Sequence, residues 1–533
     1  MARVTKLNIS IIVILLSNMT IQAQNTTVLK SKVTNIVVSI PHDTIQVDTM
    51  IYGQMLEDCN DDIIYGGVVS KSGYENQIVT KYLKELKIPI MRYPGGTSIH
   101  EYKWENGVGP KDKRPVVKSI AWKGVDYNLF GTDEFLNWCK RIGTKPYINF
   151  NMCNSVEYGA SLGDAINWLD YVNGSPINTI NGMKRAIYGH FEPYNVKYWC
   201  IGNENYGPWG VHNKETADQY ASKYYRWAST IKSLYSNLSL LGVGFNDLWN
   251  DSVLNRCGNL IDYLTLHFYI NSKIKNGILL NPENVMFASA RIENVLEKYE
   301  KKLVLANEKF RRKKEPIKFC IDEWNNRHLL YSGTKFELSR KDLRKLYDVE
   351  AISSMLNVFI RQSPYIGMAN YIFPVNGHGL VVTTNEDDAF KTPPYYVFKL
   401  YREYMVGSKC DIEVKGPGIS SVLLSDLEVD GAVENNIVHK DLCYIDGSAV
   451  LSYNNSINIA ITNRSYNKTE KVKITIPENY NIIKGYFIES KDIYDCNTSK
   501  NRYKITPRIM KNPKLEFSIS PCGFYLLHCE RIN

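Results

Sequence analysis

The residues able to do chemistry in this chain sit where apolar runs end. Glu204 closes the run VKYWCIGNE, and Glu323 closes IKFCIDE. A carboxylate in such a place loses hydration, so it needs a partner or a task. Taken singly, each glutamate reads as half of a buried ion pair or as a helix cap. Other polar residues change that reading, because Glu57, Arg92, Asn203, His267, Tyr269 and Asp322 also stand at the ends of such runs. Two carboxylates on different strands, facing each other across a pocket, are the equipment of glycoside hydrolysis.

Positioning them requires strands that all end on one side of the molecule. Eight apolar runs fill residues 50–57, 88–94, 146–152, 196–203, 238–245, 262–269, 317–324 and 367–374. Amphipathic stretches lie between them at 75–86, 132–142, 163–172, 216–234, 288–301 and 342–361. In the first of these, Ile78, Val79, Tyr82, Leu83 and Leu86 recur at helical spacing. Eight β-then-α units predict a parallel α/β structure, a (β/α)₈ TIM barrel, whose strand C-termini line the active site. An open doubly wound sheet is the alternative; it calls for a glycine-rich turn after the first strand, and GQMLEDCNDD offers none. After Tyr395 the pattern turns to short β-rich segments at 448–453, 457–462, 471–476, 483–488 and 517–529, which read as an all-β sandwich of antiparallel strands. The expected organisation is a barrel at 48–395, a C-terminal β-sandwich at 396–533, and a segment at 24–47 that completes the sandwich.

At the N-terminus, Arg3 and Lys6 precede the apolar run LNISIIVILL, followed by polar residues and Ala23. Residues 1–23 therefore read as a cleaved signal peptide, implying export to the periplasm or exterior and no membrane attachment afterwards. The net charge of +9 is small for 533 residues, and the basic cluster KFRRKK lies on the face away from the expected site. With no nucleic-acid motif either, nucleic acid is not an expected partner. Aromatic residues reach 12%, which suits a sugar groove, although a large core uses them too. Eleven cysteines include no CxxC pair, so no zinc or redox signature is present; Cys522 and Cys529 are the one pair considered for a bridge. No metal or cofactor is implied, because no cluster of His, Asp or Glu has ligand spacing.

The motifs IYGQMLED, MRYPGG, KWENGVGP, DEFLNWCKRIGTKPYI, WCIGNEN, LTLHFY and CIDEWN occur here in the order seen in glycoside hydrolase family 51. Over roughly residues 45 to 405 the chain resembles that family, whose members are mainly α-L-arabinofuranosidases with catalytic glutamates on barrel strands four and seven. The resemblance implies Glu204 as general acid/base and Glu323 as nucleophile of a retaining mechanism. It implies that Arg92 and Tyr269 hold the nucleophile and that Asn203 meets the sugar 2-hydroxyl. Glu57 is expected to grip sugar hydroxyls, His267 to stand in the active site, and Trp122 to contact the leaving-group sugar. Two positions depart from the pattern: Thr97 replaces an asparagine after RYPGG, and Phe373 replaces a sugar-binding glutamine in the eighth-strand stretch ANYIFPVN. Gly95 and Gly96 read as shaping the loop after the second strand. The expected partner is an arabinose-containing polysaccharide or oligosaccharide, with a homo-oligomer possible. A β-xylosidase, an endoglucanase and a non-catalytic sugar-binding protein are the alternatives.

Overall fold

A computed structural model describes residues 32–59, 61–310 and 312–532, so the expected signal peptide lies outside the described residues. Eight parallel strands form the centre: β1 (Gly53–Met55), β2 (Ile90–Tyr93), β3 (Lys145–Phe150), β4 (Tyr198–Ile201), β5 (Ser239–Val243), β6 (Tyr263–Lys275), β7 (Lys318–Tyr331) and β8 (Ile366–Tyr371). Each pairs with the next, and β8 returns to β1 through Asn370 opposite Gly53, which closes the barrel. β1, β2, β4 and β8 are buried at every position, as strands covered on both faces must be. Met50, Ile90, Tyr147, Tyr198, Cys200, Leu241, Cys320 and Met368 pack together as a separate apolar cluster. Cys200 and Cys320 serve there as small hydrophobes.

The helices following the strands are α1 (Gln77–Glu85), α2 (Thr132–Ile142), α3 (Leu162–Asn173), α4 (Ala217–Leu234), α5 (Asp247–Cys257), α6 (Ala288–Lys309), α7 (Leu346–Arg361) and α8 (Pro393–Tyr404). Local chemistry sets their ends. Asn76 caps α1, capping boxes start α3 at Ser161 and α4 at Thr216, and left-handed Gly143 stops α2. Because α8 runs to Tyr404, the barrel extends past the expected boundary at residue 395.

β7 carries a local irregularity. Between the pairs Thr265–Cys320 and His267–Glu323, β6 advances by two residues while β7 advances by three. Strict alternation would send consecutive side chains to opposite faces. The extra residue on β7 instead lets Asp322 and Glu323 both reach Arg92.

The remainder is largely a sandwich of a four-stranded and a seven-stranded sheet. Thr34–Ser39 joins the four-stranded sheet and alternates buried with exposed residues, so Ile36 and Val38 enter the core with Ile459, Ile461, Val472 and Leu527. That strand pairs parallel with Glu470–Thr475, so the expected all-antiparallel arrangement does not hold there. The β-rich segment expected at 517–529 forms two strands, Glu516–Ile519 and Phe524–Arg531, one in each sheet. The bridge considered between Cys522 and Cys529 is absent: both thiols are free, with Cys522 against Met286 Sδ at 3.6 Å and Cys529 inside the sandwich core. Residues 418–443 leave the sandwich, and their strand Val429–Gly431 pairs with β6 of the barrel. α7 meets the sandwich through polar contacts, among them Asn357 Nδ2 to Asp446 Oδ2 at 2.9 Å. No helix among the described residues is long and apolar enough to cross a membrane.

Candidate active site

Glu323 lies on β7, on the C-terminal side of the irregularity, and every contact to its carboxylate comes from a buried donor. Arg92, from β2, donates Nη1–H to Glu323 Oε1 at 2.7 Å and also to the Asp322 carbonyl at 3.1 Å. Tyr269, from β6, donates its hydroxyl to Glu323 Oε2. Burial, reinforced by the Glu323 and Glu204 carboxylates, pushes the Tyr269 phenol well above its ordinary range, so it remains a donor. Gly96 lets the second loop approach closely: a Cβ there would stand 2.5 Å from Glu323 Oε1. Gly95 adopts φ +142°, and a Cβ on it would meet the Glu57 side chain at 2.5 Å.

Glu204 follows β4 with a backbone φ of +43°, a left-handed conformation rare for glutamate and common where a functional side chain must be aimed. Its Oε1 accepts from the Tyr206 hydroxyl and from His267 Nδ1, each at 2.9 Å. The other ring nitrogen of His267 lies 3.1 Å from Asp322 Oδ1. Burial alone would lower the imidazole, but Glu323 and Asp322, with Glu204, outweigh it and push His267 up to about 10. The ring is therefore an imidazolium, hydrogen-bonded to Glu204 and ion-paired with Asp322. Asp322 is held below the ordinary carboxylate range: burial would raise it, and the Arg92 and His267 cations overcome that.

One carboxylate oxygen from each of Glu204 and Glu323, and one His267 ring nitrogen, lie within 4.8 Å of one another. Such a trio resembles a metal site in outline. Here the imidazolium has no lone pair to offer, and Arg92 already neutralises Glu323.

These groups open into a cavity of about 470 Å³ lined also by Glu57, Thr97, Trp122, Trp209, Phe245 and Phe373. Glu57 Oε1 accepts from the Ser98 backbone, the Ser98 hydroxyl and Trp122 Nε1, each at 2.9 Å. Arg340 lies over the Trp122 ring, 4.4 Å from its centre. Asn203 Oδ1 accepts from Arg92 Nη2 at 2.6 Å, while its buried Nδ2 has no partner. A neighbouring cavity of about 370 Å³, lined by Asp58, Ser98, Glu101 and Tyr102, contains neither Glu204 nor Glu323.

The residues singled out from the sequence thus lie in this cavity or adjoin residues that line it. Others were missed. Tyr147 on β3 donates to Asp322 Oδ2 at 2.9 Å, and Tyr206, stacked on Phe245, supports Glu204. Neither was legible from position: Tyr147 is the third residue of β3, away from its C-terminal end, and Tyr206 lies five residues past the end of β4. Asp430 and Gly431 also line the cavity, yet come from the segment assigned to the sandwich, and nothing local marks them.

Paired glutamates with a shared cationic support, at the strand C-termini of a closed (β/α)₈ barrel, define a glycoside hydrolase. Comparison with known proteins narrows the class. Residues 82–289 match the α-L-arabinofuranosidase 1 domain, and residues 322–521 match the α-L-arabinofuranosidase C-terminal domain. A probable α-L-arabinofuranosidase C of Aspergillus niger is 31% identical over 81% of this chain and 85% of its own. An intracellular exo-α-(1→5)-L-arabinofuranosidase of Bacillus subtilis is 26% identical over 87% and 91%. The GH51 α-L-arabinofuranosidase of Thermotoga petrophila superposes with a TM-score of 0.79, at 28% identity, covering 93% of this chain and 100% of that one. The chain belongs to glycoside hydrolase family 51, the α-L-arabinofuranosidases.

Proposed function

We propose that this protein is an exported, retaining α-L-arabinofuranosidase that removes arabinofuranosyl residues from plant polysaccharides or oligosaccharides with Glu204 and Glu323. The observation carrying this reading is the approach of the two carboxylates to within 4.8 Å, oxygen to oxygen. Retaining enzymes hold their carboxyl groups about 5–5.5 Å apart, whereas inverting enzymes leave roughly 6.5–9.5 Å for a water. The relatives' names support the sugar, and the resemblance supports the roles.

In the first step a Glu323 oxygen attacks the anomeric carbon. The glycosidic C–O bond breaks, and Glu204 gives its proton to the departing oxygen. In the second step water attacks the same carbon, Glu204 takes the water's proton, the ester bond breaks, and the Glu323 carboxylate returns. Arg92 and Tyr269 fix both Glu323 oxygens, so attack requires little rearrangement. The unpartnered Asn203 Nδ2 suits a hydrogen bond to the sugar 2-hydroxyl. Glu57 and Trp122, joined by their hydrogen bond, form the polar and aromatic wall a sugar needs.

A panel of nitrophenyl glycosides tests the activity: arabinofuranoside should be cleaved ahead of xyloside, glucoside and galactoside. Release of another sugar in preference would reassign the specificity, and no release from any of them, or from arabinan and arabinoxylan, would leave a binding protein. For export, mass spectrometry of the secreted protein should find an N-terminus at or near Gln24.

A further inference from the structure

We propose that His100, Cys153 and His212 form a zinc site that ties together three loops framing the active-site cavity. The residues are scattered in sequence, without the spacing of a metal motif. The barrel gathers them: His100 ends the 3₁₀ turn Thr97–His100 after β2, Cys153 follows β3, and His212 lies between β4 and α4. One donor atom from each lies within 4.8 Å of the others. All three side chains are buried, at 1%, 7% and 2% exposure.

The hydrogen bonding around them points to an absent ligand. Neither ring nitrogen of His100 makes a hydrogen bond of good geometry, the Asn203 backbone being the one hydrogen-bonding group that acts on the ring. A buried imidazole left unsatisfied at both nitrogens calls for an explanation, and a bound ion is one. His212 Nε2 lies 3.2 Å from the Asn205 carbonyl, which fixes its proton there and makes Nδ1 the acceptor nitrogen. That nitrogen meets only the Asn154 N–H, at a long 3.4 Å. A ligand histidine with its second nitrogen on a backbone carbonyl is the usual supporting arrangement. Cys153 Sγ accepts from the Ser155 N–H at 3.4 Å; against the burial that raises the thiol, the Ser155 and Asn154 backbones favour its thiolate, the form that binds a metal.

Two imidazoles and a thiolate suit zinc, with solvent in the fourth position. The rings of His100 and His212 are stacked, 4.6 Å apart at 11°, so their lone pairs do not yet converge. His100 has only the Asn203 backbone contact to lose and would be the ring that turns. Donors around tetrahedral zinc stand roughly 3.3–3.8 Å apart, given bonds of about 2.0–2.3 Å, so the cluster contracts on binding. The neighbouring Lys223 charge is answered by Glu215 at 2.6 Å and so does not repel the ion unopposed. Binding replaces the Cys153 S–H bond with S–Zn and releases that proton to solvent. The ion would anchor the turn carrying Thr97 and the loop carrying Tyr206 and Trp209, all of which line the cavity.

The test uses the full-length protein, stripped with chelator, reloaded with Zn²⁺ and freed of excess metal by gel filtration. Elemental analysis should find about one zinc per chain, falling to under about a tenth in Cys153→Ser and in His212→Ala. Loading with Co²⁺ instead should give a thiolate-to-cobalt absorption band that Cys153→Ser removes. Circular dichroism checks folding, and the conservative Cys153→Ser keeps the test alive if His212→Ala does not fold. The proposal is overturned if the folded parent retains no zinc, if zinc survives both substitutions, or if Glu323→Gln alone removes it. That last result would place the ion on the active-site carboxylates.

Discussion

His267 reaches Glu204 with one ring nitrogen at 2.9 Å and holds Asp322 with the other at 3.1 Å. The acid/base assigned to strand four is thereby tied to strand seven through a single imidazolium. Arg92 makes a parallel tie, joining Asn203 to Glu323 at 2.6 and 2.7 Å. Both cations are buried, so each depends on its carboxylates as much as they depend on it.

Replacing His267 with Gln should therefore do more than remove a substrate contact. Breaking a buried ion pair on one side costs about 3–5 kcal/mol. The folded value of about 10 lies above the ordinary one, so this stabilisation is complete below about pH 6.5 and is lost as pH rises through about 10. Asp322 runs the opposite way, its contribution present above the ordinary carboxylate value and lost in acid as pH falls through the lowered one. Nitrogen NMR of labelled histidine should find His267 still protonated at about pH 8; a midpoint near 6.5 would contradict the arrangement.

Gly96→Ala probes the close approach to Glu323. The added methyl would lie 2.5 Å from Oε1, so Glu323 must shift or the loop must retreat. Overpacking of this kind costs about 1–3 kcal/mol of stability. If Glu323 is the nucleophile, as proposed above, turnover should fall at least tenfold with KM less affected, because its carboxylate is displaced. Unchanged kcat would argue that Glu323 Oε1 does not need its present position.

The two glutamates should separate by leaving group. Glu204→Ala should lose about 10²–10⁴ in rate on natural glycans and far less on substrates whose leaving group needs no proton. Glu323→Ala should be inactive on both. Equal losses on both substrate types would remove the assigned roles.

Phe373 and Thr97 are the departures that bear on which sugar fits. Both line the cavity, and Phe373 is almost wholly buried, so an apolar ring stands where the family pattern has an amide. A hydroxyl left without a partner costs about 1–3 kcal/mol, up to roughly a hundredfold in specificity. Simple nitrophenyl arabinofuranoside should be a poor substrate relative to an extended glycan. Phe373→Gln with Thr97→Asn should improve the simple substrate. If the parent already cleaves it efficiently and the pair of changes brings no gain, both departures are neutral.

The barrel was legible because parallel strands buried on both faces must be written as apolar runs, and all eight runs became strands. Glu204 and Glu323 followed from their place at the ends of those runs. The irregularity on β7 was not legible, since no glycine or proline marks it in CIDEW. Without it, alternation would have put Asp322 and Glu323 on opposite faces, and the role of Asp322 beneath Arg92 and His267 would be lost. Asp430, Gly431 and the cluster of His100, Cys153 and His212 were hidden for another reason. Their proximity comes from how distant segments meet, and no local pattern records that.

The central claim is that Glu323 becomes covalently linked to the sugar. The most direct measurement uses Glu204→Ala with an activated arabinofuranoside, where the first step proceeds and the second is slow for want of a base. Quenching in acid, digesting the protein and mapping peptides by mass spectrometry should find one pentosyl residue on the peptide carrying Glu323, absent when Glu323→Gln is added. A turnover-competent variant with no adduct, or an adduct on another carboxylate, would contradict the account.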